Sequence, residues 1–182
     1  VCYATGSGST GEVAEFIGKE LAHDDVMVDV RPVYDVEELD PYSAVVVGSS
    51  VRFGRWLPEA ITFLDDFSDA LLERPSAFFT TCLTIIDGSE SALKMAQAYW
   101  DPVLQFVPQV EPVGLGLFAG SLAPDLAQLP EYANGPIGDY RDWTSIRAWV
   151  HDIRPALLAG KSRMNVPMVL AGTILSYTDM SG

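Results

Sequence analysis

A loop of small and polar residues near the start of the chain reads Tyr3-Ala4-Thr5-Gly6-Ser7-Gly8-Ser9-Thr10-Gly11. It lies between an apolar run over residues 1–5 and an amphipathic pattern over residues 11–22, which predict a strand and a helix. Small residues let the backbone wrap an anion, and the free N–H groups and dipole of a following helix favour one. The stretch therefore predicts a phosphate site that needs no lysine.

Other interpretations of this loop are less consistent with its residues. It is not a Walker loop, because it lacks the Gly-Lys-Ser/Thr ending. It is not the dinucleotide fingerprint either, because no acidic residue ends the second strand in a suitable register. A glycine- and serine-rich turn without a ligand remains the alternative. The hydroxyls of Thr5, Ser7, Ser9 and Thr10 at a helix start favour binding.

Strand and helix patterns alternate along the rest of the chain. Strands are expected at residues 26–30, 44–48, 76–81 and 113–119, and helices after Pro58, over 89–107 with a break at Pro102, and from a cap at Asp142 to Leu157. The proline- and glycine-rich residues 123–139 predict a long loop. Strict alternation implies parallel strands with right-handed crossovers.

The predicted fold class is therefore α/β, a three-layer, doubly wound parallel sheet with strand order 2-1-3-4-5. In such a sheet a ligand binds at the carboxyl ends of strands 1 and 3, where the order of the strands reverses. Residues 1–160 form the predicted domain. Residues 161–182 are an appendage that a five-strand plan does not need.

Two more loops follow strands 3 and 4 at the predicted ligand edge. The first reads Gly48-Ser49-Ser50-Val51-Arg52-Phe53-Gly54-Arg55-Trp56, and the second reads Thr80-Thr81-Cys82-Leu83-Thr84. Ser49 and Ser50 can reach a ligand there. Phe53 or Trp56 can stack on a flat ring, although Trp56 could equally pack beneath the loop. The backbone of the second loop could hydrogen-bond the polar edge of such a ring.

Charge and composition exclude several classes of partner. The formal net charge is −14, with 25 acidic against 11 basic residues, so nucleic acid and anionic membranes are poor partners. A basic protein would be attracted, although the excess acid could serve solubility alone. His23 and His151 are expected at the surface, so we assign no metal site and no catalytic residue. Cys2 and Cys82 are expected to be buried free thiols, and no signal peptide is visible, which favours the cytoplasm.

Several motifs resemble those of known flavin proteins. Thr5-x-x-Gly8-x-Thr10 after a strand resembles the phosphate loop of flavodoxins. Residues 48–54 resemble the flavin-ring loop of the menaquinone-dependent protoporphyrinogen oxidase branch, with its Gly-Ala-Ser-Ile-Arg-Tyr-Gly pattern. Ala119-Gly120-Ser121-Leu122 and Asp142-Trp143 also resemble that branch. The likeness covers residues 1–158 and indicates a flavodoxin-like fold.

The resemblance implies one non-covalent FMN. It assigns the phosphate to Thr5, Gly6, Ser7, Gly8, Ser9 and Thr10, and the ring to Ser49, Ser50, Val51, Arg52, Phe53, Gly54, Thr80, Thr81, Cys82 and Leu83. The implied role is electron transfer or a small flavin-dependent oxidoreductase, with a redox protein or a small acceptor such as a quinone as partner. One alternative is a protoporphyrinogen-type dehydrogenase that uses a quinone. Another is a flavodoxin-fold binding module without flavin.

The chain departs from the oxidase branch before its last helix. The oxidases carry there a long basic and apolar insertion, thought to touch the membrane. Here residues 123–139 are short, acidic and rich in proline. We therefore expect no strong membrane binding.

Overall fold

The computed structural model describes residues 1–23, 26–133 and 135–159, together with the backbone of 167–170 and 173–176. The strands are β1 (Cys2–Ala4), β2 (Arg31–Pro32), β3 (Val45–Arg52), β4 (Arg55–Trp56), β5 (Ser76–Cys82), β6 (Leu115–Ala119), β7 (Ser121–Leu122), β8 (Gly138–Asp139), β9 (Pro167–Leu170) and β10 (Thr173–Ser176). The helices are α1 (Ser9–Leu21), α2 (Pro58–Asp66), α3 (Ser68–Leu72), α4 (Glu90–Gln97), α5 (Trp100–Phe106) and α6 (Trp143–Leu158).

The main sheet has the predicted order of parallel strands. Its neighbours run β2-β1-β3-β5-β6, and β4 is only the returning arm of a hairpin on β3, so the predicted order 2-1-3-4-5 is confirmed. β9 pairs in parallel with β6 and β10 pairs antiparallel with β9. The described backbone beyond residue 160 therefore extends the sheet by two strands. The rest of the predicted appendage, 161–182, lies outside the described residues.

Two apolar cores separate the helices into layers on either side of the sheet. Adjacent residues of β3 divide between them: Val46 packs with α1 and α6, whereas Val47 packs with α2 and α5. Phe79 and Phe78 of β5 divide in the same way. Strands covered on both faces are expected to contain continuous apolar runs, as residues 45–47 of β3 and 77–79 of β5 do. The arrangement is the predicted three-layer sandwich.

The helix predictions agree with the structure, apart from the exact place of one break. Pro58 is the first residue of α2, where its missing N–H costs nothing. The break predicted at Pro102 lies just before it, between Gln97 and Trp100, so that Pro102 falls in the first turn of α5. Asp142 caps α6 by accepting hydrogen bonds from the amides of the second and third helical residues.

The strand predicted over residues 26–30 is wrong in extent. Only Arg31 and Pro32 pair with β1, and residues 26–30 form no ladder. Beside β1, the Val1 amino group donates to the Asp29 carbonyl at 2.7 Å. Val28 and Val30 still turn inward against the core beside α1. The alternating pattern thus identified the buried side chains correctly, but not the hydrogen bonding.

Candidate functional site

A cleft open to solvent lies at the carboxyl ends of β1, β3, β5 and β6. The space between its walls, open solvent included, is about 760 Å³. Eleven of the sequence-predicted residues line it: Gly6, Ser7, Ser9, Ser50, Val51, Arg52, Phe53, Gly54, Thr81, Cys82 and Leu83. The structure thus brings all three predicted loops to one place. The remaining five, Thr5, Gly8, Thr10, Ser49 and Thr80, are not among its lining residues.

The first loop is held in shape by its own hydrogen bonds. The Gly8 amide donates to Thr5 Oγ1 at 2.9 Å, and the Gly6 amide donates to Ser50 Oγ at 3.2 Å on β3. Gly8 has φ 91°, a left-handed conformation that turns the chain into α1. The amides of a first helical turn have no partner within their helix. Those of α1 are therefore available to an anion beside Ser7 and Ser9.

Two side chains cross directly over Gly6. A Cβ at this position would lie 2.8 Å from the Tyr132 hydroxyl and 3.0 Å from Arg52 Nη2. Arg52 Nη2 also donates to the Tyr132 hydroxyl at 2.8 Å, and the guanidinium lies 5.5 Å from the centre of the Tyr132 ring. Arg52 therefore joins the β3–β4 hairpin to the loop before β8, across the start of the predicted phosphate site.

The tip of the β3–β4 hairpin holds an aromatic residue in a strained conformation. Arg52 pairs with Arg55, which leaves Phe53 and Gly54 as a two-residue turn with φ values of 52° and 74°. Two positive φ values are typical of a type I′ turn, in which asparagine and glycine are the preferred residues. A phenylalanine is unfavourable in such a turn. The side chain of Phe53 is also 90% exposed, so it is not held there by burial in the core. The Phe53 side chain lines the cleft at this turn.

Four predicted site residues use their hydroxyls inside the protein: Ser49, Thr80, Thr10 and Thr81. Ser49 Oγ accepts from the Leu57 amide at 3.1 Å and donates to the Ser50 carbonyl. Thr80 Oγ1 accepts from Trp56 Nε1 at 2.8 Å. Thr10 Oγ1 lies 2.6 Å from Thr81 Oγ1. These bonds bind the loops that frame the cleft to one another.

Trp56 is a core residue and not a wall of the cleft. Its side chain is buried and packs edge-on against Phe78 and Trp100, with ring centroids 6.1 and 5.5 Å away. Of the two aromatic residues in the loop over residues 48–56, Phe53 is therefore the one that lines the cleft. The packing of Trp56 beneath the hairpin supports the strained turn from below.

Cys82 lies at the end of β5 with its thiol almost fully shielded. Burial raises the pKa of the Cys82 thiol above its ordinary value, so the thiol is protonated at neutral pH. Beside it, the Thr84 and Tyr99 hydroxyls lie 3.0 Å apart and close one side of the cleft. Cys82 is thus suited to packing more than to redox chemistry.

Six lining residues were not among the predicted site residues: Thr84, Tyr99, Gly120, Ser121, Leu122 and Tyr132. Gly120 and Ser121 directly follow β6, and a glycine and serine after a central strand are the same signal that identified the first two loops. Tyr99 lies at the break between α4 and α5, and Tyr132 in the long loop. No local pattern could have identified these two.

The cleft is nearly free of charge although the protein is strongly acidic. Among the described residues that line it, Arg52 is the single charged one, against a net charge of −14 for the chain. In the described ranges, histidine, cysteine and acidic side chains form no group of three that could hold a metal ion. Each helix in the described part of the chain is too short or too polar to cross a lipid bilayer.

Comparison with known proteins gives one family and one fold. A family model described as "Flavodoxin domain" matches residues 1–129. An oxidised flavodoxin from Bacillus cereus superposes with a TM-score of 0.57 at 16% identity, over 86% of this chain and 96% of that one. A flavodoxin from the domain Archaea gives 0.53 at 22% identity, over 86% and 95%. These likenesses confirm the predicted flavodoxin-like fold.

Two relatives found by sequence share the name protoporphyrinogen IX dehydrogenase (quinone). The protoporphyrinogen IX dehydrogenase (quinone) of Escherichia coli strain K12 is 31% identical over 85 residues, 46% of this chain and 47% of that protein. The chain thus spans about half the length of that relative. The protein of the same name from Leishmania major is 26% identical over 86% of this chain and 74% of its own length.

Proposed function

The chain belongs to the flavodoxin domain family, and from this membership we propose that it binds one FMN in the cleft and uses it in electron transfer or as a small flavin-dependent oxidoreductase. The observation that carries the proposal is the convergence of the three loops on one cleft that is nearly free of carboxylates. A dianionic phosphate and an uncharged ring could share such a site. An acidic lining would repel the phosphate.

The donor set of the cleft fits a flavin mononucleotide. The phosphate end would be held by the first-turn amides of α1 with the hydroxyls of Ser7, Ser9 and Thr10. Arg52, whose guanidinium lies over Gly6, would add a positive charge beside the phosphate. Ser50 to Gly54 and Thr81 to Leu83 would hold the ring, with Phe53 as its aromatic cover. A bound FMN supplies reversible one- and two-electron chemistry, which no side chain here provides.

The protein's own contribution is binding, orientation and electrostatic control. Cys82 and the hydrogen-bonded Thr84–Tyr99 pair line one side of the cleft. Phe53 is exposed at the mouth of the cleft, where a redox partner could reach a bound ring. Arg52 offers one positive charge beside the phosphate loop.

Reconstitution of the purified protein with flavins tests the proposal. We expect FMN to bind with the yellow absorbance of a flavoprotein, and FAD to bind no more tightly, because the loop offers one phosphate cradle. Riboflavin, which lacks the phosphate, should bind more weakly than FMN. Absence of binding to all three would favour a flavodoxin-fold module without flavin.

A protoporphyrinogen-type dehydrogenase with a quinone acceptor is the second candidate. It is favoured by the names of the relatives from Escherichia coli and Leishmania major. The short acidic loop over residues 123–139 argues for the first candidate, since it lacks the basic and apolar insertion of the oxidase branch. Turnover of a porphyrinogen with a quinone by the FMN-loaded protein would identify the dehydrogenase. Reduction by a redox protein without such turnover would identify a carrier.

The free thiols of Cys2 and Cys82 support a reducing compartment, and we propose the cytoplasm. Fractionation of cells that produce the protein tests this location. The net charge of −14 supports a partner with a basic face, either a redox protein or a protein that delivers a small acceptor.

A further inference from the structure

Arg141, just before α6, is a nearly buried cation with two acidic partners. Its side chain is only 9% exposed, whereas the Glu12 and Asp139 side chains are 64% and 53% exposed. Nε and Nη2 donate to the two oxygens of Asp139 at 2.7 Å each, and Nη1 donates to Glu12 Oε2 at 2.6 Å. The guanidinium lies 4.7 Å from the Trp143 ring centre. Such a planar, bidentate arrangement holds both carboxylates in fixed directions.

The two partners of Arg141 lie beside two different parts of the cleft lining, Ser9 of α1 and Ser121 of β7. Glu12 lies in the first turn of α1, which begins at the phosphate loop. Asp139 lies in β8, directly opposite Ser121 of β7. Arg141 therefore ties the β7–β8 hairpin to the start of α1.

The same junction continues into the cleft through hydrogen bonds. The Ser121 amide donates to Ser9 Oγ at 3.2 Å, so β7 contacts the first residue of α1. The Tyr140 amide donates to the Gly120 carbonyl at 3.1 Å, and the Gly120 amide donates to the Cys82 carbonyl at 3.2 Å. Ser9, Ser121 and Gly120 all line the cleft. A shift of the hairpin would thus move the phosphate end of the site.

We propose that Arg141 is a positioning residue. It locks the β7–β8 hairpin onto the first turn of α1 and thereby sets the affinity of the cleft for phosphate-bearing ligands. Arg141 does not line the cleft itself. It acts through Asp139 and Glu12. The part of this inference that concerns FMN rests on the proposed function, whereas the lock itself is a property of the chain without ligand.

Arg147 provides a matched control for Arg141. It also joins α6 to α1, because Nε and Nη2 donate to Glu20 at 3.0 and 3.1 Å, and it lies 5.2 Å from the Phe16 ring centre. Its partner is near the end of α1, far along the helix from the phosphate loop. A purely structural link between the two helices would be lost equally in Arg147→Gln and Arg141→Gln.

Amide hydrogen exchange of the ligand-free protein is the first test. Arg141→Gln should speed exchange of the Ser121 and Tyr140 amides by about tenfold or more, as expected for loss of charge-assisted hydrogen bonds. Arg147→Gln should leave these amides as they are in the unmodified chain. Equal exchange at Ser121 and Tyr140 in both variants would overturn the proposed lock, with or without flavin binding.

The affinity ratio of FMN to riboflavin is the second test. Arg141→Gln should weaken FMN by about tenfold and riboflavin much less, because only FMN reaches the phosphate helix with a charged group. Adding Glu12→Gln should not restore FMN binding. Full recovery in that double variant would attribute the loss to the uncovered charge of Glu12 and overturn positioning. If the unmodified chain bound no flavin, the proposed function would fail, and the exchange test would still decide the role of Arg141.

Discussion

The side-chain hydroxyls of Thr10 and Thr81 lie 2.6 Å apart in the interior, joining the first turn of α1 to the end of β5. Both residues are almost fully buried. The bond relates the phosphate side of the cleft to its ring side across the sheet. One threonine thus has a structural partner and a place in the loop that we propose for the phosphate.

Valine substitutions separate these two roles of Thr10. Thr10→Val and Thr81→Val should each lower the free energy of unfolding by about 1–3 kcal/mol, because each leaves a buried hydroxyl without its partner. Thr10→Val should also weaken FMN by about 1–3 kcal/mol, the range for a lost charge-assisted hydrogen bond. Thr81→Val keeps the Thr10 hydroxyl and should bind FMN nearly as the unmodified chain does. Urea unfolding and flavin titration measure both quantities, and equal FMN losses would remove Thr10 from phosphate binding.

Phe53 should lower the free energy of unfolding while it strengthens FMN binding. Phe53→Asn places a preferred residue at φ 52°, so the free energy of unfolding should rise by about 0.5–1 kcal/mol. FMN binding should weaken at the same time, because the exposed ring is lost. Phe53→Tyr keeps an aromatic ring and serves as the control. A Phe53→Asn variant that bound FMN unchanged would show that the ring does not cover the flavin.

The sequence predicted the strand order and the three loops because both depend on local patterns. Continuous apolar runs such as residues 45–47 of β3, and glycine and hydroxyl residues at the ends of strands, are visible in one segment of chain. Tyr132 and Arg141 could not be found in this way, since their partners Arg52 and Glu12 are 80 and 129 residues away along the chain. The two strands beyond residue 160 were missed because a five-strand sheet already satisfied the alternation of elements.

Cys82 is expected to act as a packing residue. Because burial raises its thiol pKa, little thiolate exists at neutral pH and reaction with a disulfide reagent should be slow. Burial also raises the pKa of Cys2 to about 12, so both thiols should react only after unfolding. Cys82→Ser should keep FMN-linked electron transfer largely intact. Loss of turnover with flavin still bound would assign a redox role to the thiol.

The acidic field should lower the potential of the last reduction step below that of free FMN. Two charges about 10 Å apart interact by about 1.7 kcal/mol at an effective dielectric constant of about 20. Added salt should raise the potential by screening. Arg52 opposes the field from within the cleft, so Arg52→Gln should lower the potential further. Arg55→Gln, on the exposed arm of the same hairpin, should change it less. A potential insensitive to salt in a redox titration would contradict the electrostatic argument.

The cap of α6 should give the protein an acid-labile contribution to stability. Hydrogen bonds from Ser145 and Thr144 lower the pKa of Asp142, so its ionised form stabilises the fold above the unfolded pKa of about 3.9. This contribution is lost as pH falls through the lower, folded pKa. Asp142→Ala should cost about 1 kcal/mol at neutral pH. Asp142→Asn should keep most of the cap while reducing the loss of stability in acid, as unfolding at pH 7 and at about pH 3 would show.

The division of β3 between two cores, with Val46 on one face and Val47 on the other, has a consequence for how such a protein diversifies. Helix α1, which follows the loop proposed for the phosphate, packs on one face of the sheet. Helices α4 and α5, which flank Tyr99 beside the proposed ring site, pack on the other. Substitutions that do not share a core tend to act independently. If the cleft binds FMN as proposed, substitutions around its ring side can therefore change the redox chemistry while the residues of α1 that hold the phosphate stay the same.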